Sequence, residues 1–139
     1  MLMVQLQSMD AKPADPNQKR ILIVEDDNGL AHVYETRFIA EGFAVRRVSN
    51  GEEALSAATV FRPHLIILDV MMPRINGYDV LDILRNTPET AGTKVVMLTA
   101  LGRPEDIEQA KKYGVDDYLI KSQVTMADVV DKIKHHLGM

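Results

Sequence analysis

At 139 residues, 46% of them hydrophobic, the chain is the length of one domain with a core of its own. Twenty acidic against sixteen basic residues leave a net charge of −4, which argues against a surface that holds nucleic acid by neutralising its phosphates. Cysteine is absent, which excludes disulfides, zinc–thiolate sites and thiol redox chemistry.

No apolar run approaches the ~20 residues of a membrane helix. Met1 to Leu6 are apolar but lack the basic flank and long apolar stretch of a signal peptide. These features predict a cytoplasmic protein without membrane contact. Asp10, Pro13, Asp15, Pro16 and Asn17 break any period near the start, so residues 1–19 read as a flexible extension and 20–139 as the domain.

From Arg20, strand-like and helix-like patterns alternate five times. A strand at 20–25 precedes a helix at 28–41, closed by Gly42. A strand at 43–48 leads through the capping signal Asn50-Gly51-Glu52-Glu53 into a helix at 51–60. The run His64-Leu65-Ile66-Ile67-Leu68-Asp69 makes a strand at 64–69, with a helix at 77–86 after it. A strand at 94–99 is followed by a helix at 104–113, opened by Pro104 and closed by Gly114. The last strand is 116–120. The last helix, 125–137, starts at the capping signal Thr125 to Asp128 and carries the stripe Met126, Val129, Val130, Ile133 and Leu137. His135 and His136 point in different directions on that helix and read as a solvated helix end rather than a metal site.

Strict alternation predicts an α/β fold, a doubly wound five-stranded parallel sheet covered by helices on both faces. The strand runs read as apolar throughout, as buried parallel strands do. Ligands of such sheets bind beyond the carboxyl ends of the strands, where the strand order reverses.

Polar residues stand at four of those ends. Glu25-Asp26-Asp27 follow the first strand, Asp69 ends the third, Thr99 ends the fourth and Lys121 follows the fifth. Singly, each has an ordinary explanation. Acids favour a helix N-terminus, Asp favours a turn, Thr suits a strand and Lys a wet surface. Together they offer oxygen ligands for a hard dication such as Mg²⁺. They add a carboxylate nucleophile, and a hydroxyl and an ammonium for phosphoryl oxygens.

These pieces resemble the receiver domain of bacterial two-component response regulators. The resemblance rests on Ile21 to Asp27, on Leu68-Asp69-Val70-Met71-Met72-Pro73 with Gly77, on Met97-Leu98-Thr99-Ala100 and on Asp117-Tyr118-Leu119-Ile120-Lys121. It implies a flavodoxin-like sheet of order 2-1-3-4-5. It implies that Asp69 accepts a phosphoryl group from a histidine kinase or histidine phosphotransfer protein. Mg²⁺, or Mn²⁺ in its place, would be held by Asp26 directly, by Glu25 through water, by Asp69 and by the backbone carbonyl of Met71. Thr99 and Lys121 would hold the phosphoryl oxygens, and Tyr118 would move inward as Thr99 moves toward the phosphate. Output would pass to a downstream protein through the face of the fourth helix, fifth strand and fifth helix, with no nucleic-acid contact.

Two departures carry expectations. The family has proline in a cis bond after the lysine, and this chain has Ser122. A cis Lys121–Ser122 bond costs about 3 kcal/mol, so the loop is either strained or trans and reshaped. The family positions beside the attacking-water route are Met71 and Leu101 here, both apolar, which implies slow self-dephosphorylation. The alternatives are a receiver fragment of a larger regulator or hybrid kinase, and an interaction module independent of phosphorylation. A nucleotide- or flavin-binding protein of the same topology would want a Gly-rich loop where this chain is acidic.

Overall fold

The computed structural model describes residues 15–139; residues 1–14 of the expected extension lie outside the described residues. Asp15 to Gln18 form a turn that rests on the domain, where the Gln18 side-chain amide donates to the Gly42 carbonyl at 2.9 Å.

Among the described residues five strands and five α-helices alternate in the expected order. They are β1 (Arg20–Val24), α1 (Asn28–Ala40), β2 (Ala44–Val48), α2 (Gly51–Val60), β3 (Leu65–Leu68), α3 (Gly77–Arg85), β4 (Lys94–Thr99), α4 (Pro104–Lys112), β5 (Asp117–Ile120) and α5 (Met126–His136). All neighbouring strands pair in parallel, in the order β2-β1-β3-β4-β5. The order reverses between β1 and β3, which places a crevice at their carboxyl ends.

The local punctuation acts as its chemistry dictates. Asp27, Asn50, Asn76 and Thr125 cap α1, α2, α3 and α5, each side chain accepting a backbone N–H of the first turn. Gly42 and Gly114 follow the ends of α1 and α4 with φ of 96° and 86°, a left-handed conformation that costs glycine nothing.

Alternation along the strands sorts the core into two layers. Leu22, Val24, Ile66, Leu68, Val95 and Met97 face α2, α3 and α4. Ile21, Ile23, Leu65, Ile67, Val96, Leu98 and Leu119 face α1 and α5. Strand β2 departs from the expected uniform apolarity. It is one of the two edge strands, four of its five residues are half-buried, and it carries Arg46 and Arg47. Charge on an edge strand discourages pairing with another chain.

Long side chains tie loops to this frame. Arg85 leaves the last turn of α3 and donates to the carbonyls of Gly114, Ala91 and Thr93 and to Asp116 Oδ2, at 2.7–3.2 Å. Asp116 Oδ2 also accepts the Val95 N–H at 2.8 Å. Removing the guanidinium leaves those acceptors short of donors, so Arg85→Ala should cost about 2–4 kcal/mol by urea denaturation. A loss below about 0.5 kcal/mol, the range of ordinary surface changes, would contradict this.

His136 is a correction to the solvated helix end. Its side chain is only 16% exposed, and Nε2 lies 2.8 Å from Asp117 Oδ2, which joins α5 to β5. His64 is tied as well, its Nδ1 accepting the Arg20 N–H at 2.9 Å. That acceptance needs the neutral ring. Burial first, then the Arg20 and Lys19 charges, hold this imidazole below its ordinary 6.5. The folded state therefore binds the proton more weakly than the unfolded chain. The associated stability is lost as pH falls from 6.5 through the lower folded value. An NMR titration should give His64 a midpoint under 6.5, and a higher midpoint would contradict the neutral acceptor.

Candidate functional site

The carboxyl ends of β1, β3, β4 and β5 bring the four polar stations together. Val24 pairs with Leu68, Leu68 with Met97 and Thr99 with Ile120, so the residues at or just beyond the strand ends lie side by side. Carboxylate oxygens of Glu25, Asp26 and Asp69 all lie within 4.8 Å of one another. Glu25 and Asp69 are buried, at 3% and 5% exposure, while Asp26 is open to solvent.

Lys121 bridges the two buried acids. Its Nζ donates to Glu25 Oε1 at 2.7 Å and to Asp69 Oδ2 at 2.8 Å. Burial works against the lysine charge, but the bonds to Asp69 and Glu25 outweigh it and hold the ammonium above its usual range. Burial also pushes Glu25 above the usual carboxylate range. Lys121 and the Asp27 N–H, which donates to Glu25 Oε2 at 3.1 Å, pull it back in part. The question of the Lys121–Ser122 bond resolves in favour of trans, because no cis peptide occurs among the described residues. A 3₁₀ turn over Lys121–Gln123 follows β5, and lysine still reaches both acids from it.

Asp69 is held from its other side. Its Oδ1 accepts the Met71 N–H at 3.0 Å, which curls the β3–α3 loop around it. Gly77 makes that curl possible, since a Cβ there would collide with the Asp69 carbonyl oxygen. The Met71 side chain projects outward at 56% exposure. A hollow of about 430 Å³ opens beside it, with Asp26, Met72, Pro73, Asn76 and Tyr78 in its lining.

Thr99 is fully buried, and its hydroxyl accepts the Leu101 N–H at 3.4 Å. Tyr118 is half-buried and donates to the Leu101 carbonyl at 2.8 Å. Thr99 and Tyr118 thus meet through Leu101, in the loop between β4 and α4. The sequence did not announce Arg47. Its Nε and Nη2 both donate to the Glu25 carbonyl, at 3.0 and 2.7 Å.

The donor set consists of hard oxygens, three of them from carboxylates, which fits Mg²⁺ or Mn²⁺ and not a soft metal. A carboxylate, a buried hydroxyl and an ammonium around one crevice can also hold a phosphoryl group.

Residues 21–134 match the response regulator receiver domain family, and the chain belongs to that family. It is 38% identical over 107 residues to the DNA-binding response regulator MtrA of Mycobacterium tuberculosis, covering 77% of this chain and 46% of that protein. The chain spans less than half the length of the curated relatives it matches. Solved structures agree. A CheY-like receiver domain protein from Methanospirillum hungatei superposes with a TM-score of 0.81 at 28% identity, over 88% of this chain and 95% of that one. The receiver domain of a sensor histidine kinase, PA1611 of Pseudomonas aeruginosa, gives 0.80 at 26% identity, over 88% and 99%. That structure carries a magnesium ion in its active-site cleft.

Proposed function

We propose that this chain is a phospho-accepting switch, in which Asp69 takes a phosphoryl group from a histidine kinase or a histidine phosphotransfer protein. The observation that carries the reading is the half-buried Lys121 ammonium bonded to the buried Glu25 and Asp69 at the switch point of the sheet. As a carboxylate nucleophile, Asp69 needs no general base. One of its oxygens attacks phosphorus, the bond from phosphorus to the donor imidazole nitrogen breaks, and the imidazole leaves to take up a proton.

Asp26 would hold Mg²⁺, or Mn²⁺, directly, Glu25 through water, with Asp69 and the Met71 carbonyl as further ligands. When bound, the ion supplies positive charge against the phosphoryl oxygens. Lys121 gives up its bond to Asp69 for one of those oxygens. The Thr99 hydroxyl donates to another, which draws the Leu101 loop and with it Tyr118. The result is a two-state change of the α4–β5–α5 face toward a downstream protein. The chain is not a catalyst in the ordinary sense, since the phosphoryl group it transfers and loses is its own. No helix among the described residues is long and apolar enough to cross a membrane, and the kinase would be met in the cytoplasm. Incubation with Mg²⁺ and acetyl phosphate should add one phosphoryl group by intact mass and none in EDTA. A wild-type chain that stays unmodified would favour a phosphorylation-independent interaction module.

The lifetime of the phosphate is set beside Asp69. Met71 and Leu101 carry no group that orients an attacking water. Decay in Mg²⁺ should therefore be slow and should quicken about tenfold or more in Met71→Asn, by phosphoprotein mass against time. Rapid decay untouched by this change would contradict the prediction.

The length of the relatives favours a second reading, a receiver within a longer regulator, with a DNA-binding part such as the name MtrA prints. The mass of the protein isolated from its native cell distinguishes the two.

A further inference from the structure

We propose that Arg47 is a positioning residue for the metal site and fixes Asp26 by gripping the peptide in front of it. The inference rests on the phospho-acceptor reading and extends it to the edge strand. Asp26 is the exposed member of the acidic cluster, and no hydrogen bond holds its carboxylate among the described residues. Its placement is therefore set by the backbone on either side.

The C-terminal side is secured by the start of α1. The Asp27 carboxylate accepts the Leu30 N–H at 2.9 Å, and the Asp27 carbonyl accepts the Ala31 N–H at 2.9 Å. The N-terminal side is secured by β2. The Glu25 N–H donates to the Val48 carbonyl at 3.1 Å, and the Glu25 carbonyl receives both Arg47 nitrogens. That carbonyl belongs to the peptide that leads into Asp26. Two donors of one rigid guanidinium on one oxygen fix the peptide's tilt in a way a single flexible donor does not. Arg47 pairs with Ile23 in the sheet register, so its own backbone is fixed too.

The guanidinium has a second effect, of opposite sign. No carboxylate lies within 4 Å of it among the described residues, and although its charge also acts on Glu53 it adds positive charge beside the cluster. Charge alone would weaken the binding of a dication, and its removal would tighten it. Positioning predicts the reverse, because losing a partner that orients a metal ligand typically weakens binding ~10–100-fold.

The test is Mg²⁺ titration of the unphosphorylated protein at fixed salt, followed by the amide NMR signals of Asp26, Asp27 and Met71. Wild type, Arg47→Gln, Arg47→Lys and Arg46→Gln are compared. The expected result is a loss of about tenfold in affinity in both Arg47 variants. Arg46→Gln, which removes the same charge from the same strand, should bind as wild type or slightly more tightly. Equal or tighter binding in Arg47→Gln, full affinity in Arg47→Lys, or an equal loss in Arg46→Gln would each overturn the proposal. Arg47→Lys keeps the charge and most of the stem, so it decides the matter if the Gln variant does not fold. Failure of wild type to bind Mg²⁺ at all would count against the phospho-acceptor reading rather than against Arg47.

Discussion

Asp69→Asn should abolish phosphoryl acceptance while leaving the fold intact. The amide keeps the shape of the carboxylate, and its oxygen can still accept the Met71 N–H that shapes the β3–α3 loop. It cannot act as an anionic nucleophile, and it cannot form an acyl phosphate. Lys121 retains Glu25 as a partner, and one charge leaves a crowded acidic cluster, so no large loss of stability follows. Intact mass after treatment with Mg²⁺ and acetyl phosphate should show the unmodified variant alone, next to modified wild type. A variant that takes up phosphoryl at the wild-type level would move the acceptor elsewhere.

Lys121→Met should damage both stability and chemistry. Glu25 and Asp69 have side chains only 4% and 7% exposed, and both lose their counter-charge. Breaking a buried pair by removing one partner costs ~3–5 kcal/mol. Lys121 keeps 22% exposure, so the loss here should be about 2–3 kcal/mol, read as a lower urea midpoint without metal. Mg²⁺ should raise that midpoint more in the variant than in wild type, because the ion supplies the missing charge. Phosphoryl uptake should slow about 100-fold, as loss of one donor to developing charge does elsewhere. A variant of wild-type stability and rate would leave Lys121 an ordinary surface lysine.

The sequence made the frame legible because the frame is written in short-range chemistry. Apolar runs of four to six residues, caps such as Asn50 and Thr125, and the glycines at 42 and 114 each act within a few residues of themselves. The polar residues at the strand ends are legible for another reason: Lys121 stands 96 residues from Glu25 and 52 from Asp69, but the order of a parallel sheet gives each strand end a defined neighbour. Arg47, Arg85 and His136 lay outside that reach. Their partners stand 22 residues away for Arg47, 29 and 31 for Arg85, and 19 for His136. Nothing in local periodicity says which backbone carbonyl a long side chain will meet. Arg46 and Arg47 did mark β2 as unlike the other strands, in keeping with the edge position that the order 2-1-3-4-5 gives it. Ser122 is the opposite case. Its departure from the family pattern is visible in the sequence, but only the folded chain shows that a trans bond and a short 3₁₀ turn still deliver Lys121 to both acids.

Borohydride reduction of the phosphorylated protein tests the account most directly, because it converts an aspartyl phosphate to homoserine at the residue that carried it. Peptide sequencing by mass spectrometry should find homoserine at position 69 and at no other aspartate. Homoserine at 26 or 27, or its absence from a protein that has gained a phosphoryl group, would contradict the assignment of Asp69.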